Sequence, residues 1–305
     1  MKNDIDLHMH SAYSDDGEYA PMELARMCRQ AGIRVMAISD HNCVKANGEA
    51  QEEAERLNIQ YIPAIEFDCT YKDMNVHLLG YQIRYRSPDF AWVEDNIRTQ
   101  AMEASMESLR LTRSFGFHVT EDELNAISGK GYWKDVWTGE IFAEVLLHKP
   151  EYQEHEALRP YRIGGERSDN PYVNFYWDFY SQGKPCYAKI NLPSLADAIS
   201  LIKDNGGITV LAHPGMILKN RANLFNEMIA LGIDGVEAFS SYHDISSAEH
   251  FYREAQKHSL IVTCGSDFHG KTKPSIQLGN SGCDIGIFEV EQRLLQGADR
   301  EDWVK

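Results

Sequence analysis

Histidines and carboxylates recur along this chain at spacings that suit a divalent cation. The groups are Asp6-Leu7-His8-Met9-His10, Ser39-Asp40-His41, Glu66, His77, His213-Pro214-Gly215, Glu237 and Gly265-Ser266-Asp267-Phe268-His269. Side chains two apart on a strand share a face, so His8 and His10 can present both imidazoles to one ion. Imidazole nitrogens and carboxylate oxygens together suit zinc, manganese or iron, and ligand type alone does not choose among them. A lone histidine is more often a core or surface residue than a ligand, and His118, His148, His155, His250 and His258 are read that way. The joined set is different. As a mere structural network it would bury many imidazoles without a charge partner, which is costly.

The elements that must position these groups follow an α/β rhythm, with short apolar runs alternating with amphipathic helices. Strands are expected at Ile5–Leu7, Val35–Ile38, Tyr61–Ile65, Val76–Leu79, Ile208–Ala212, Gly235–Ala238 and Leu260–Thr263. Nearly every one of them ends in, or carries, one of the polar groups. Parallel barrels build their sites at the C-terminal ends of their strands, so these residues are expected to converge. Helices are expected over Met22–Gln30, with Pro21 in the first turn and Gly32 just past the end, over Leu195–Asp204 after Ser194 and before Gly206-Gly207, and from Asp244 or Ser246 to about Lys257. The stretch from about Arg84 to Pro185 breaks the alternation: a long helix over Phe90 to about Phe115, then an aromatic-rich polar segment.

Bulk composition narrows the function classes. With 43% apolar residues the 305-residue chain can bury a sizeable core. Forty-six acidic against 30 basic residues leave a net charge of −16, which disfavours extended duplex nucleic acid, since that binding rests on Lys and Arg neutralising many phosphates. A small phosphorylated substrate remains compatible, because a metal cluster supplies local positive charge. Six scattered cysteines without a CxxC pair read as reduced thiols. No apolar run reaches the ~20 residues of a membrane span, and a cytoplasmic location is expected.

The polar motifs resemble those of the PHP (polymerase and histidinol phosphatase) family of metal-dependent phosphoesterases. The match lies in Asp6-x-His8-x-His10-Ser11, Ser39-Asp40-His41, Glu66, His77, Ala212-His213-Pro214-Gly215 and Gly265-Ser266-Asp267-Phe268-His269, in the family's order. The resemblance implies an α/β fold, a distorted seven-stranded (β/α) TIM-like barrel, formed by residues 1–83 and 186–305. Residues 84–185 would be an inserted, mainly helical lid or substrate subdomain. It further implies three divalent ions. The first would be held by His8, His10, Glu66 and Asp267; the second by Glu66 with His77 and His213; the third by Asp16 with His41 and His269. The Ser14-Asp15-Asp16-Gly17 turn has one Asp more than the commoner family form, so Asp15 is the alternative to Asp16.

On that basis the chain is expected to be a hydrolase of phosphoric esters, acting through an acidified metal-bound hydroxide. The long insert after His77, Gly183-Lys184-Pro185, Gly235-Val236-Glu237 and the short path to His243 look most like the branch acting on nucleotide phosphomonoesters, AMP or 3′,5′-bisphosphates. Asp40 and Glu237 are candidates to orient ligand imidazoles, and His243 to contact phosphate or act as an acid. Lys184, Arg162 and Arg167 of the insert are candidates to meet a second phosphate. Alternatives are a 5′–3′ exonuclease on short RNA or DNA ends, a histidinol-phosphate phosphatase, an amidohydrolase-type enzyme, and a metal-binding module without catalysis.

Overall fold

The computed structural model describes residues 4–129, 131–218, 221–283 and 294. The rest of the C-terminal part of the expected barrel segment 186–305 lies outside the described residues. In chain order the elements are β1 (Ile5–Asp6), α1 (Pro21–Ala31), β2 (Val35–Met36), α2 (Ala46–Arg56), β3 (Gln60–Tyr61), β4 (Ala64–Tyr71) and β5 (Met74–Tyr81). Then come α3 (Pro88–Ser114), α4 (Glu121–Ser128), α5 (Gly139–His148), α6 (Pro171–Phe179) and α7 (Leu195–Asp204). They are followed by β6 (Ile208–Leu211), α8 (Pro214–Leu218), α9 (Ala222–Ala230), β7 (Gly235–Ser240), α10 (Ile245–Lys257) and β8 (Ile261–Gly265). Helix boundaries follow local chemistry. Pro21 opens α1 and Gly32, at φ 84°, closes it; Ser194 caps α7, and Asp244 caps α10 by accepting from Ser247 N–H.

The described strands form two sheets, β1-β2-β3 and β4-β5-β6-β7-β8, instead of one ring of seven. The expected strand Tyr61–Ile65 is in fact two. Pro63 has no N–H to give a ladder, so β3 stops before it and β4 begins after it in the other sheet. β4 then turns at Lys72, whose φ is 53°, and returns as the antiparallel β5, the strand carrying His77. The sheets meet at both edges. Leu7 N–H donates to Cys264 C=O (3.1 Å), and single bridges link Met9 with Phe268 and His41 with Glu66.

β5 also runs antiparallel to β6, with Tyr81 beside Ile208 and Leu78 beside Leu211. The chain therefore leaves β5 at the end opposite His213, and not on the face of the polar residues as a parallel strand would. The 27-residue α3, roughly 40 Å long at 1.5 Å per residue, carries it back. The first turns of α3 belong to the main core, where Phe90, Val93 and Ile97 join Phe67, Leu78 and Ile202. Its last turns belong to a separate core with Phe117, Phe142, Leu158 and Phe175. Cys28, Cys43, Cys69 and Cys186 are buried free thiols. Among the described residues no helix is long and apolar enough to cross a membrane.

Candidate metal centre

Alternation on β4 sends Ile65, Phe67 and Cys69 into the core and Glu66 and Asp68 toward the histidines. Glu66 is the hub. Its Oε2 lies 3.1 Å from His8 Nε2 and 3.2 Å from His10 Nε2, and its Oε1 lies 3.2 Å from His77 Nδ1 and 3.3 Å from His213 Nε2. Asp267 Oδ1 closes the first group at 3.2 Å from His8 Nε2 and 3.1 Å from His10 Nε2. On the far side of His10, Asp16 Oδ2 meets His269 Nε2 at 3.0 Å, with His41 alongside. Among the described residues, three sets thus have all their donor atoms within 4.8 Å: His8, His10, Glu66 and Asp267; His10, Asp16, His41 and His269; and His41, Glu66 and His77.

Glu66 Oε1 shares hydrogen bonds with His77 Nδ1 and His213 Nε2, but other donor atoms of the cluster face one another without one. His8 Nε2, His10 Nε2, His41 Nδ1, His269 Nε2 and Glu66 Oε2 are buried and lack a hydrogen-bond partner. Separations of 3.0–3.4 Å are those of ligand atoms sharing a cation at about 2.1 Å. Without such partners, buried polar atoms would carry a desolvation cost of about 1–3 kcal/mol each. The donor set therefore fits divalent ions.

Electrostatics points the same way. Burial would raise the Glu66 carboxyl, yet His8, His41 and His77 hold it well below the usual range. Burial would likewise lower His8, but Glu66, Glu237 and Asp267 raise it well above its ordinary value. The extra Asp in the turn separates in character from its neighbour. Desolvation and the charge of Asp16 push the Asp15 carboxyl up to about 7, whereas Asp16, although partly buried, is held low chiefly by His269.

Around the cluster, Glu237 receives His213 N–H on Oε2 (2.8 Å) and sits 3.0 Å from His8 Nδ1 on Oε1, so one carboxylate orients two histidines. Asp40 instead holds the loop after His10, accepting from Ser11 N–H (2.6 Å) and Oγ–H (2.7 Å). His243 receives Gly215 N–H on Nε2 and faces Ala238 C=O through Nδ1, so both ring nitrogens are occupied beside the cluster. The insert's cationic candidates lie elsewhere. Arg162 donates to the carbonyls of Leu147 and Tyr152, Arg167 pairs with Asp178, and Lys184 is exposed; none lines the cleft over the cluster.

Two residues beside the cluster escaped sequence reasoning. Asp68 Oδ1 lies 3.0 Å from His41 Nδ1, and period-2 spacing from Glu66 was the signal that could have found it. Lys273 Nζ donates to Asp267 Oδ2 (2.6 Å), buried at the cleft's edge, and no local pattern marks it. Close packing also depends on Gly265. A Cβ there would fall 2.1 Å from His8 Cβ and 2.7 Å from Glu237 Oε1. Gly265→Ala is expected to lower unfolding free energy by about 3 kcal/mol, at the upper end of overpacking costs. Urea denaturation of the purified variant measures it, and an unchanged midpoint would contradict the close approach.

The cluster opens onto a cleft of about 230 Å³, walled by α3, α5, α6 and the segment after α6, with Trp137, Tyr176, Trp177 and Tyr187 among its lining. Comparison with known proteins then gives three kinds of likeness. A family model described as the PHP domain matches residues 6–155. A 3′,5′-nucleoside bisphosphate phosphatase from Chromobacterium violaceum is 26% identical over 303 residues, covering 97% of this chain and 99% of the relative. A phosphoribosyl 1,2-cyclic phosphate 1,2-diphosphodiesterase from Eggerthella lenta is 24% identical over 268 residues, 87% of this chain and 94% of the relative. A solved Chromobacterium violaceum structure, described as an amidohydrolase with bound sulfate and no metal, superposes with a TM-score of 0.76 at 25% identity. It covers 98% of this chain and 99% of that one.

Proposed function

Because this chain belongs to the PHP family, we propose that it hydrolyses phosphomonoesters of nucleotides, nucleoside monophosphates or 3′,5′-bisphosphates, at the cluster around Glu66. The observation that carries the reading is the set of buried imidazole nitrogens without hydrogen-bond partners, opening onto an aromatic-walled cleft. Three divalent ions, manganese, zinc or iron, would be held by His8, His10, Glu66 and Asp267, by Glu66, His77 and His213, and by Asp16, His41 and His269. Bound there, they would supply Lewis-acid polarisation of the phosphoryl group and an acidified water.

The chain's own residues orient and exclude. Glu237 locks His8 and the backbone of His213; Ser11 and Asp40 fix the loop that follows His10. Lys273 keeps a positive charge beside Asp267, at the edge of the cleft a phosphate would enter. Residues 84–185 act as the inserted lid that contacts the rest of the substrate. Two similarities support the chemistry: relatives named for phosphoester cleavage, and a structural neighbour holding sulfate, a tetrahedral oxyanion like phosphate. The amidohydrolase description of that neighbour supplies the competing reading, which a substrate panel separates.

Metal-supplemented protein should be assayed for kcat/KM on p-nitrophenyl phosphate, AMP, histidinol phosphate, a short single-stranded RNA end and an N-acyl amino acid. Nucleotides are expected to lead, with the RNA end intermediate. Histidinol phosphate ahead by tenfold, about 1.4 kcal/mol in transition-state binding, would reject the nucleotide assignment. Turnover of the amide alone would reject the phosphoesterase.

A further inference from the structure

The cleft meets the cluster on one side and the insert on the other, and the wall supplied by the insert has an unexpected sign. Gly139 opens α5 against α6 so closely that a Cβ would lie 2.8 Å from the Tyr176 ring and 2.9 Å from Tyr180. That contact sets the next residue, Glu140, into the wall, 8% exposed. Glu140 and Asp15 also line the adjoining cavity beneath α5, so they form the partition between the two. Among the described lining residues of the cleft, Lys273 is the one lysine or arginine, and it is already bonded to Asp267.

Three other cations of the insert are spent on its own structure. Arg98 donates to Tyr132 C=O and stacks on Tyr132 and Trp133, Arg113 donates to Val119 C=O, and Lys149 pairs with Glu123. A second phosphoryl group in the cleft would be a buried anion needing its own counter-charge. A carboxyl group supplies none when protonated and repels the anion when ionised. The same group accepts hydrogen bonds from hydroxyl or amino groups, and the aromatic wall offers faces on which a planar base can lie.

We infer that Glu140 is a specificity-determining residue that restricts the cleft to substrates whose one phosphoryl group is the reacting one: nucleoside monophosphates in preference to 3′,5′-bisphosphates or RNA ends. This rests on the phosphoesterase reading above and divides the substrates that reading leaves together. Glu140 acts from the insert's wall of the cleft, beside Asp15 and Asp16, through hydrogen-bond acceptance and the denial of a counter-charge.

The test compares metal-loaded wild type, Glu140→Gln and Glu140→Lys on AMP and adenosine 3′,5′-bisphosphate, with p-nitrophenyl phosphate as reference. Tryptophan fluorescence titrations of both nucleotides give affinities alongside kcat/KM. Wild type is expected to prefer AMP by tenfold or more in both readouts. Glu140→Gln should bring that ratio at least fivefold toward the bisphosphate, and Glu140→Lys should invert it. Should the lysine variant fail to fold, the near-isosteric glutamine variant still reports. Equal or better use of the bisphosphate by wild type, or a ratio unmoved in Glu140→Gln, overturns the inference. If p-nitrophenyl phosphate and both nucleotides go unhydrolysed, the phosphoesterase reading fails, while the affinity ratio still judges Glu140.

Discussion

His10→Ala should strip bound metal and phosphoesterase activity together, and Asp267→Asn should do the same. His10 stands in two of the three donor sets, its Nε2 3.2 Å from Glu66 and 3.1 Å from Asp267 and its ring stacked 3.9 Å from that of His269. Loss of a partner that merely orients a metal ligand costs 10–100-fold in affinity or activity. A side chain shared by two sets should cost more, about a thousandfold in kcat/KM, or about 4 kcal/mol of transition-state stabilisation. Asp267→Asn keeps the shape but removes the negative charge facing His8, His10 and Lys273. Elemental analysis and kcat/KM on p-nitrophenyl phosphate measure the two effects in parallel. Full activity in protein carrying only trace metal would refute the centre.

Excision of the insert should separate chemistry from recognition, provided the cut respects the core. Removing all of 84–185 would take out Phe90, Val93 and Ile97, each contributing about 1.5–3 kcal/mol by burial, and the product should not fold. A better cut lies farther along α3. Gln100 Oε1 accepts from Asn191 N–H (2.8 Å) and its Nε2 donates to Asn191 C=O (3.2 Å), so a short turn can join the chain there. Replacing residues 102–189 with such a turn removes Trp137, Glu140, Tyr176 and Trp177 from the cleft and leaves the clustered histidines in place. Expected values are AMP kcat/KM lower by a hundredfold or more, and p-nitrophenyl phosphate kcat/KM within about tenfold of wild type. An equal loss on both substrates, in folded and metal-loaded protein, would argue against a recognition role for the insert.

The histidines and carboxylates that the fold gathers around Glu66 were legible in the chain because their chemistry is narrow. Few residue types offer a lone pair to a divalent ion, and His8 with His10 need only the pleat of one strand to share a face. Helix limits were legible for the same local reason, with Pro21, Gly32, Ser194 and Asp244 standing where backbone groups need them. The sheet count was not, since Tyr61–Ile65 reads as one apolar run and Pro63 divides it between two sheets.

Long-range contacts supplied the remainder. Whether β5 runs parallel or antiparallel depends on its partners, Ala64–Tyr71 and Ile208–Leu211, and that direction sends the insert out at the far end and back along α3. Lys273 meets Asp267 because of a loop path that no periodicity records. Arg162 and Arg167 were plausible phosphate ligands by type, yet nearby carbonyls and Asp178 claim them, and the wall over the cluster receives Glu140 in their place. Residue type and short spacing thus identify groups able to bind a cation, because that property belongs to the side chain. Which charges face the substrate is a property of the packed chain, since each guanidinium and carboxylate goes to the partner that the fold brings nearest.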